Sequence, residues 1–271
     1  MSSMDVSNLT RDTLSKMFSE GKRFDGRGLL DLRDIEVSYG VSNKAEGSAR
    51  VKIGKTEVVV GVKLAPGEPY PDSLDKGNLM VSGDLLPLAS PRFESGPPGF
   101  QAIELPRLVD RAVRESGMID LSKLVIEEGK KVWTLFIDIY PINDDGNLID
   151  ASNIAALAAL KDAVIPNLDE NGNLDYEKTS KKKLPLSEEI KPISFSFFKL
   201  GDSIIIDPTR EEEECSEARV TFGISKWNSQ YMVNSCQKIG TSTFTLSDIE
   251  KIMDVIPKKF EEVSKKLKTY L

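Results

Sequence analysis

The stretch KVWTLFIDIYPINDDGNLIDASNIAALAAL, residues 131–160, constrains the fold more than any other. Its first ten residues are strongly apolar and rich in β-branched and aromatic side chains, which reads as a buried strand. The DDG tripeptide then marks a tight turn, and an alanine-rich helix follows over residues 151–163. Alanine on many faces leaves no wide polar side for water, so this helix is expected to lie close against a sheet. Any fold for the chain must accommodate a buried strand that feeds directly into a buried helix.

The surrounding segments repeat one order of elements. Residues 9–20 place Leu9, Leu14, Met17 and Phe18 at helical spacing, with Gly21 as the stop. RDIEVSY, SARVKI, TEVVVGVKL and NLMVSGDLL read as strands, and Gly54-Lys55 closes a hairpin between the second and third. This half is expected to open as an antiparallel sheet. RFESGPPGFQ (92–101) is loop by its Pro and Gly content, and the helix IELPRLVDRAVRES follows with Pro106 near its first turn, where proline is tolerated. Residues 167–190 are polar and turn-rich, and their KKK run reads as a solvated loop.

Beyond that boundary come ISFSFFKL, SIIIDP, ARVTFGIS and QYMVNSC, again strand-like. The last helix opens with Ser247 and Glu250 at capping-box spacing and is expected to kink at Pro257. It places Ile249, Ile252, Met253, Ile256, Phe260, Val263 and Leu267 on one face. Strands followed by helices in each half predict an α+β fold with two similar halves. The expected division is a helical extension over 1–22, a first half over 23–170, a polar connector over 171–190 and a second half over 191–271.

Composition narrows the chemistry. The chain has no histidine and only two cysteines, Cys215 and Cys236. Ser-His-Asp and Cys-His catalysis and a four-cysteine zinc site are therefore excluded. The net charge of −7 argues against a non-specific nucleic-acid coat, but a local basic site depends on where charges lie rather than on their sum. The phosphate-binding pattern GxxxxGK[ST] is absent, so a nucleotide-binding α+β module lacks its usual signature. No apolar run reaches the length of a membrane span, and MSSMDVSNLTRDTLSKMF lacks the regions of a signal peptide, so a cytoplasmic location without membrane association is expected.

One local basic site is readable. At about 100° per residue, Leu105, Leu108, Val109, Ala112 and Val113 fall on one side of the helix that starts near Ile103, and Arg107, Arg111 and Arg114 fall opposite. Such a stripe can grip phosphate oxygens, or it can be a solvated face paired with Glu104, Asp110 and Glu115. The helix start near Asp150 is also informative. Free N–H groups and the helix dipole make such a place a natural anion seat. A carboxylate about 4 Å from a phosphate would be repelled by ~4 kcal/mol at an effective dielectric of 20, more than the ~0.3–1 kcal/mol the dipole offers. Asp150 is therefore expected to cap the helix instead.

Taken in order, RFDGR (23–27) and its hairpin, GDLLPLASPRFESGPPGFQAIELPRLVDR, LFIDIYPINDDGNLIDASNIAALAAL and IIIDPTREEEECSEARVTFGIS resemble an RNase PH-type chain from about residue 20 to 270. Within that family they are most similar to the non-catalytic subunit of the archaeal exosome ring. The resemblance implies an RNase PH-like fold and a part in 3′-to-5′ RNA degradation, in which inorganic phosphate attacks the terminal phosphodiester in a catalytic sister chain. Three pairs of the two chains would form a hexameric ring, with S1- or KH-domain proteins on one face and single-stranded RNA as substrate.

The resemblance also assigns roles. Catalytic members carry a Gly-Ser/Thr-Arg type segment at the helix start, where this chain has Asn147, Leu148, Ile149 and Asp150. They are expected to have adjacent arginines before the arginine helix, where this chain has Pro98, Gly99, Phe100 and Gln101, with Phe100 expected to be packed rather than stacked on a base. Asp207 matches their aspartate, and Glu213 replaces the acid six residues on. The pair reads as a vestigial acidic site within a solvated glutamate run. No catalytic residue, metal or cofactor is assigned. Arg107 and Arg111 correspond to arginines that face the RNA path, and Arg114 continues the stripe. The alternative is an autonomous phosphate-dependent exoribonuclease that uses Asp207 and Glu213.

Overall fold

The computed structural model of the chain describes residues 7–170, 172–175 and 180–270, so residues 171 and 176–179 of the expected connector lie outside the described residues. Helix α1 (Asn8–Ser19) begins where the Ser7 hydroxyl accepts the Leu9 N–H. It ends at Gly21, whose φ of +73° lets the Lys22 N–H turn back to the Met17 carbonyl. Leu14 and Phe18 are buried, whereas Leu9 is exposed.

Strands β1 (Ile35–Tyr39), β2 (Gly47–Ile53) and β3 (Thr56–Gly67) form an antiparallel meander, with Gly54 and Lys55 as the turn between β2 and β3. Strand β4 (Asn78–Gly83) follows, then helix α2 (Phe100–Ser116), a short 3-10 turn (Leu121–Leu124), strand β5 (Val125–Glu127) and the long strand β6 (Lys131–Asn143). The first sheet runs β1-β2-β3-β6-β4, with β5 paired to β6. It is not purely antiparallel as expected: β4 pairs parallel to β6, because the chain crosses back through α2 before β6 enters the sheet. Helix α2 starts at Phe100 with Gly99 as its N-cap, so residues 100 and 101 are helix rather than loop. Pro106 consequently lies in the second turn, inside the helix, where it is buried.

Helix α3 (Leu148–Asp162) is covered on every side, and residues 149–160 are all buried. One side rests on β2 and β3, the other on the second sheet. A β-carbon at Gly47 would stand 2.4 Å from the Ala159 carbonyl oxygen, so β2 carries glycine where the helix comes closest. The alanines serve the same close approach from the helix side. The hairpin β7 (Asn167–Leu168) and β8 (Leu174–Asp175) leads into the second half. Lys183, in the run expected to be solvated, donates to the Lys161 and Asp162 carbonyls at the end of α3.

The second sheet has the order β10-β9-β11-β12, from β9 (Ile193–Leu200), β10 (Ser203–Ile206), β11 (Ala218–Trp227) and β12 (Gln230–Gly240). Helix α4 (Arg210–Cys215) links β10 to β11, and α5 (Leu246–Leu267) closes the chain. The capping box of α5 is Thr245 with Asp248, two residues before the expected Ser247 and Glu250, and the helix continues through Pro257. Ile252, Ile256, Phe260, Val263 and Leu267 are buried as their spacing requires, with Ile249 and Met253 packed at the edge of the same core. Helix α1 docks on a separate apolar cluster of Leu14, Phe18, Phe198, Leu200, Ile205 and Cys215. No described helix is long and apolar enough to cross a membrane.

Candidate functional site

The two halves meet where the β6–α3 turn touches the β10–α4 turn. Gly146 has φ +84°, and a β-carbon there would lie 2.6 Å from the Pro208 carbonyl oxygen, so only glycine fits. Asn147 follows with φ 60°, a left-handed conformation that asparagine tolerates, and it is the N-cap of α3. Its side-chain Nδ2 donates to Asp207 Oδ1 at 2.9 Å, and its backbone N–H donates to Glu213 Oε2 at 2.7 Å. One residue thus joins both acids of the expected vestigial site.

Asp207, itself at φ 47°, has no exposed surface. Its carboxylate accepts from Arg33 Nε at 3.0 Å, Arg33 Nη2 at 2.7 Å, the Arg33 N–H at 2.7 Å and Arg27 Nη1 at 3.0 Å. Burial would push this carboxyl up, but the hydrogen bonds and charge of Arg33, with Asn147 adding to them, hold it below the ordinary carboxylate range. Its pairs with Arg33 and Arg27 tie the loop before β1 to the second half. Arg23 makes a parallel tie: it is buried, its Nε donates to Glu212 Oε1 at 2.9 Å, and its Nη2 pairs with Glu212 Oε2.

The glutamate run is therefore not a solvated cluster. It forms α4, capped by Thr209 and Glu212. Glu212 is buried on Arg23, Glu213 is turned to Asn147, and Glu214 pairs with Arg92 at 3.3 Å. Glu213 is the residue that takes the anion seat of α3, because its carboxylate sits on the N–H of the N-cap residue, at the positive end of the helix dipole. Burial pushes the Glu213 carboxyl up, opposed by the Asn147 N–H and by the charges of Arg219 and Arg92.

Those two arginines are already neutralised. Arg92 pairs with Asp144 at 2.6 Å, and Arg219 pairs with Glu104 at 2.5 Å. Together with Glu213 and Glu214, four carboxylates face two guanidiniums. The cavity that Arg92, Arg219, Asn147 and Glu213 line measures about 30 Å³, room for roughly one water. A larger cleft of about 650 Å³ lies between residues 117–123 and 185–190, but its Asp120 and Lys123 simply pair with each other at the surface.

Asp150 is not the cap that the sequence led us to expect. The left-handed pair Gly146-Asn147 starts the helix earlier, so Asp150 falls in the first turn, on a buried side. Its carboxylate accepts from the Ser196 hydroxyl at 2.8 Å and the Ser196 N–H at 3.1 Å on β9. Burial, reinforced by the charge of Asp207 and opposed by Ser196, pushes it up to about 7.

On α2, Arg107 and Arg111 are exposed and have no ion pair or hydrogen bond among the described residues. Of the three acids that could have claimed them, Glu104 is committed to Arg219 and Asp110 to Arg114, while Glu115 is exposed and makes no ion pair with either arginine. Arg114 differs: it binds Asp110 at 2.6 Å and the Leu79 carbonyl at 2.8 Å, which fastens α2 to β4. Phe100, expected to be packed, is 54% exposed.

Sequence reasoning did not assign Arg33, Arg92, Arg219 or Asn147. The only local signal was the Gly-Asn pair at a turn, since ion pairs spanning more than a hundred residues leave no periodicity.

Comparison with known proteins bears on the fold and the family of the chain. The models of the 3′ exoribonuclease family match over both of its domains, the first across residues 31–166 and the second across 192–255. An exosome complex component Rrp42 from Methanocella arvoryzae is 45% identical, with 98% of each chain covered. The Rrp42 component from Methanothermobacter thermautotrophicus is 41% identical, covering 95% of this chain and 94% of the relative. Among solved structures, the Archaeoglobus fulgidus exosome with RNA bound to the active site superposes with a TM-score of 0.83 at 41% identity, covering 94% of this chain and 97% of that one. An archaeal exosome core gives 0.81 at 38% identity, with 96% of each chain covered. With both domain models matched in order on a fold whose halves meet at Gly146, Asn147 and Asp207, this chain belongs to the RNase PH family of 3′ exoribonucleases.

Proposed function

We propose that this chain is a non-catalytic subunit of an archaeal-type exosome. It pairs with a catalytic RNase PH-like sister chain, three such pairs form a hexameric ring that S1- or KH-domain proteins cap, and the chain guides single-stranded RNA during 3′-to-5′ degradation. Its kinship with exosome components supports the assembly. The observation that carries the non-catalytic reading is the position of Glu213. A phosphorolytic site must seat inorganic phosphate, and the α3 N-terminus that offers such a seat already holds a protein carboxylate, with space beside it for about one water. The arginines beside Asp207 hold its carboxyl below the ordinary carboxylate range, which disfavours it as a proton donor. The two unpaired arginines of α2 support RNA guidance, since guanidinium groups suit phosphate oxygens.

The test is degradation of a 3′-tailed single-stranded RNA with inorganic phosphate by this chain alone, the catalytic chain alone and the mixture. The expected result is no diphosphate from this chain and a gain on mixing. Diphosphate release by this chain alone, lost in Asp207→Asn, would overturn the proposal.

A further inference from the structure

The exposed side of α2 carries more than arginines. At about 100° per residue, Phe100, Ile103, Arg107, Arg111 and Arg114 fall within an arc of about 80°, opposite the buried face. Phe100 is 54% exposed and Ile103 49%, so the N-terminal end of the stripe is an open apolar surface headed by an aromatic ring. Of the acids beside the arc, Glu104 and Asp110 are neutralised by Arg219 and Arg114, and Glu115 stands outside it, about 40° beyond Arg111. What the stripe presents is therefore one aromatic face followed by two unpaired cations. At 1.5 Å rise per residue, Phe100 and Arg111 lie about 16 Å apart along the axis, with Arg107 between them.

Single-stranded nucleic acid matches both parts of this surface. Its phosphates complement the arginines, and each base offers a π-face to an aromatic ring whatever the sequence. A purely apolar protein partner would leave Arg107 and Arg111 desolvated without counter-charges, which is costly. We propose that Phe100 is a base-stacking platform for RNA at the head of the arginine stripe, an inference that rests on the RNA-guiding reading above. The platform fixes a nucleobase, Arg107 and Arg111 hold the phosphates beyond it, and the contact does not discriminate sequence.

The experiment uses the complex of this chain with its catalytic partner, in phosphate-free buffer across a salt series. Fluorescence anisotropy follows two probes of equal length, a labelled 3′-tailed oligoadenylate and the same ribose-phosphate backbone without bases. Phe100→Ala is expected to weaken oligoadenylate binding about five- to 150-fold, leave the abasic probe unchanged and keep the salt slope, because stacking releases no counterions. Phe100→Tyr is expected to bind like the parent. Arg107→Gln is expected to weaken both probes and lower the slope by about one. Unchanged oligoadenylate affinity in Phe100→Ala, or equal loss on both probes, would overturn the platform while the Arg107→Gln result stood. Failure of Phe100→Ala to join the complex would also overturn it, by making the ring a subunit contact. An Arg107→Gln complex with parental affinity and slope would instead bring down the RNA-guiding reading itself.

Discussion

Replacing Asp150 by asparagine isolates the cost of keeping a carboxyl in the seam between the halves. The folded chain pushes Asp150 from 3.8 up to about 7, chiefly by burial. The same group titrates near 3.9 in an unfolded chain. Between those values the folded chain keeps a proton that the unfolded chain has released, so this group makes stability fall as pH rises. Its contribution is fully present below the unfolded value and is lost as pH passes the folded one, at about 1.4 kcal/mol per pH unit and about 4 kcal/mol in all. The amide of Asp150→Asn would keep the shape, its oxygen accepting the Ser196 N–H and its Nδ2 donating to the Ser196 hydroxyl, but could not ionise, so the variant should gain about 4 kcal/mol on the parent between about pH 4 and pH 8. For a chain of this length that corresponds to about 7 °C in Tm, at roughly 2.1 cal/mol/K per residue. Urea unfolding of both chains at half-unit pH intervals and one protomer concentration measures it, and the difference between the chains cancels every other titrating group to first order. A difference that stays flat to within about 1 kcal/mol across that range would refute the argument.

Other changes test the rest of the seam and the RNA surface. Asp207→Asn strips the part-buried Arg33 and Arg27 of the fully buried counter-charge they share and should cost about 3 kcal/mol in denaturant unfolding, while rings that still assemble degrade RNA at the parental rate. Gly146→Ala combines a positive φ with a clash on Pro208 and should destabilise by well over the ~1 kcal/mol of Gly129→Ala, a left-handed glycine with open space around it; thermal scans of the two variants rank them. Arg107→Glu with Arg111→Glu should leave ring assembly intact by size-exclusion chromatography but slow RNA degradation, with a weaker dependence on salt; parental rates across the salt series would contradict the stripe assignment.

Local periodicity made much of the fold legible. The β2–β3 hairpin, the buried β6, the alanine face of α3 and the apolar stripe of α5 each follow from side chains that repeat at two or 3.6 residues. The parallel seat of β4 did not, since it depends on where the chain returns after α2. The site was less legible for a related reason. The sequence drew attention to Asp207, Glu213 and the α2 arginines, but whether a charge is free depends on residues far along the chain. Glu211 to Glu214 look alike as a run, yet the structure gives Glu212, Glu213 and Glu214 different partners, and Asp150 turns toward β9 because two left-handed residues moved the helix start. Phe100 misled for its neighbours' sake: a Pro-Pro-Gly loop suggested irregular structure, and Gly99 instead became a helix cap.

Helix α3 is the inner wall of both sheets, and that has a consequence for how the chain opens. Amides from Ala151 to Ala159 lie inside a helix with no solvated side, so neither sheet can be peeled away without uncovering it. Hydrogen exchange at those amides should proceed only through global unfolding, while α1, on its own small cluster, exchanges through a cheaper local opening. A backbone cut in the polar connector would then yield two fragments that stay together and melt in one transition. The slowest amides of this protein gauge both halves at once.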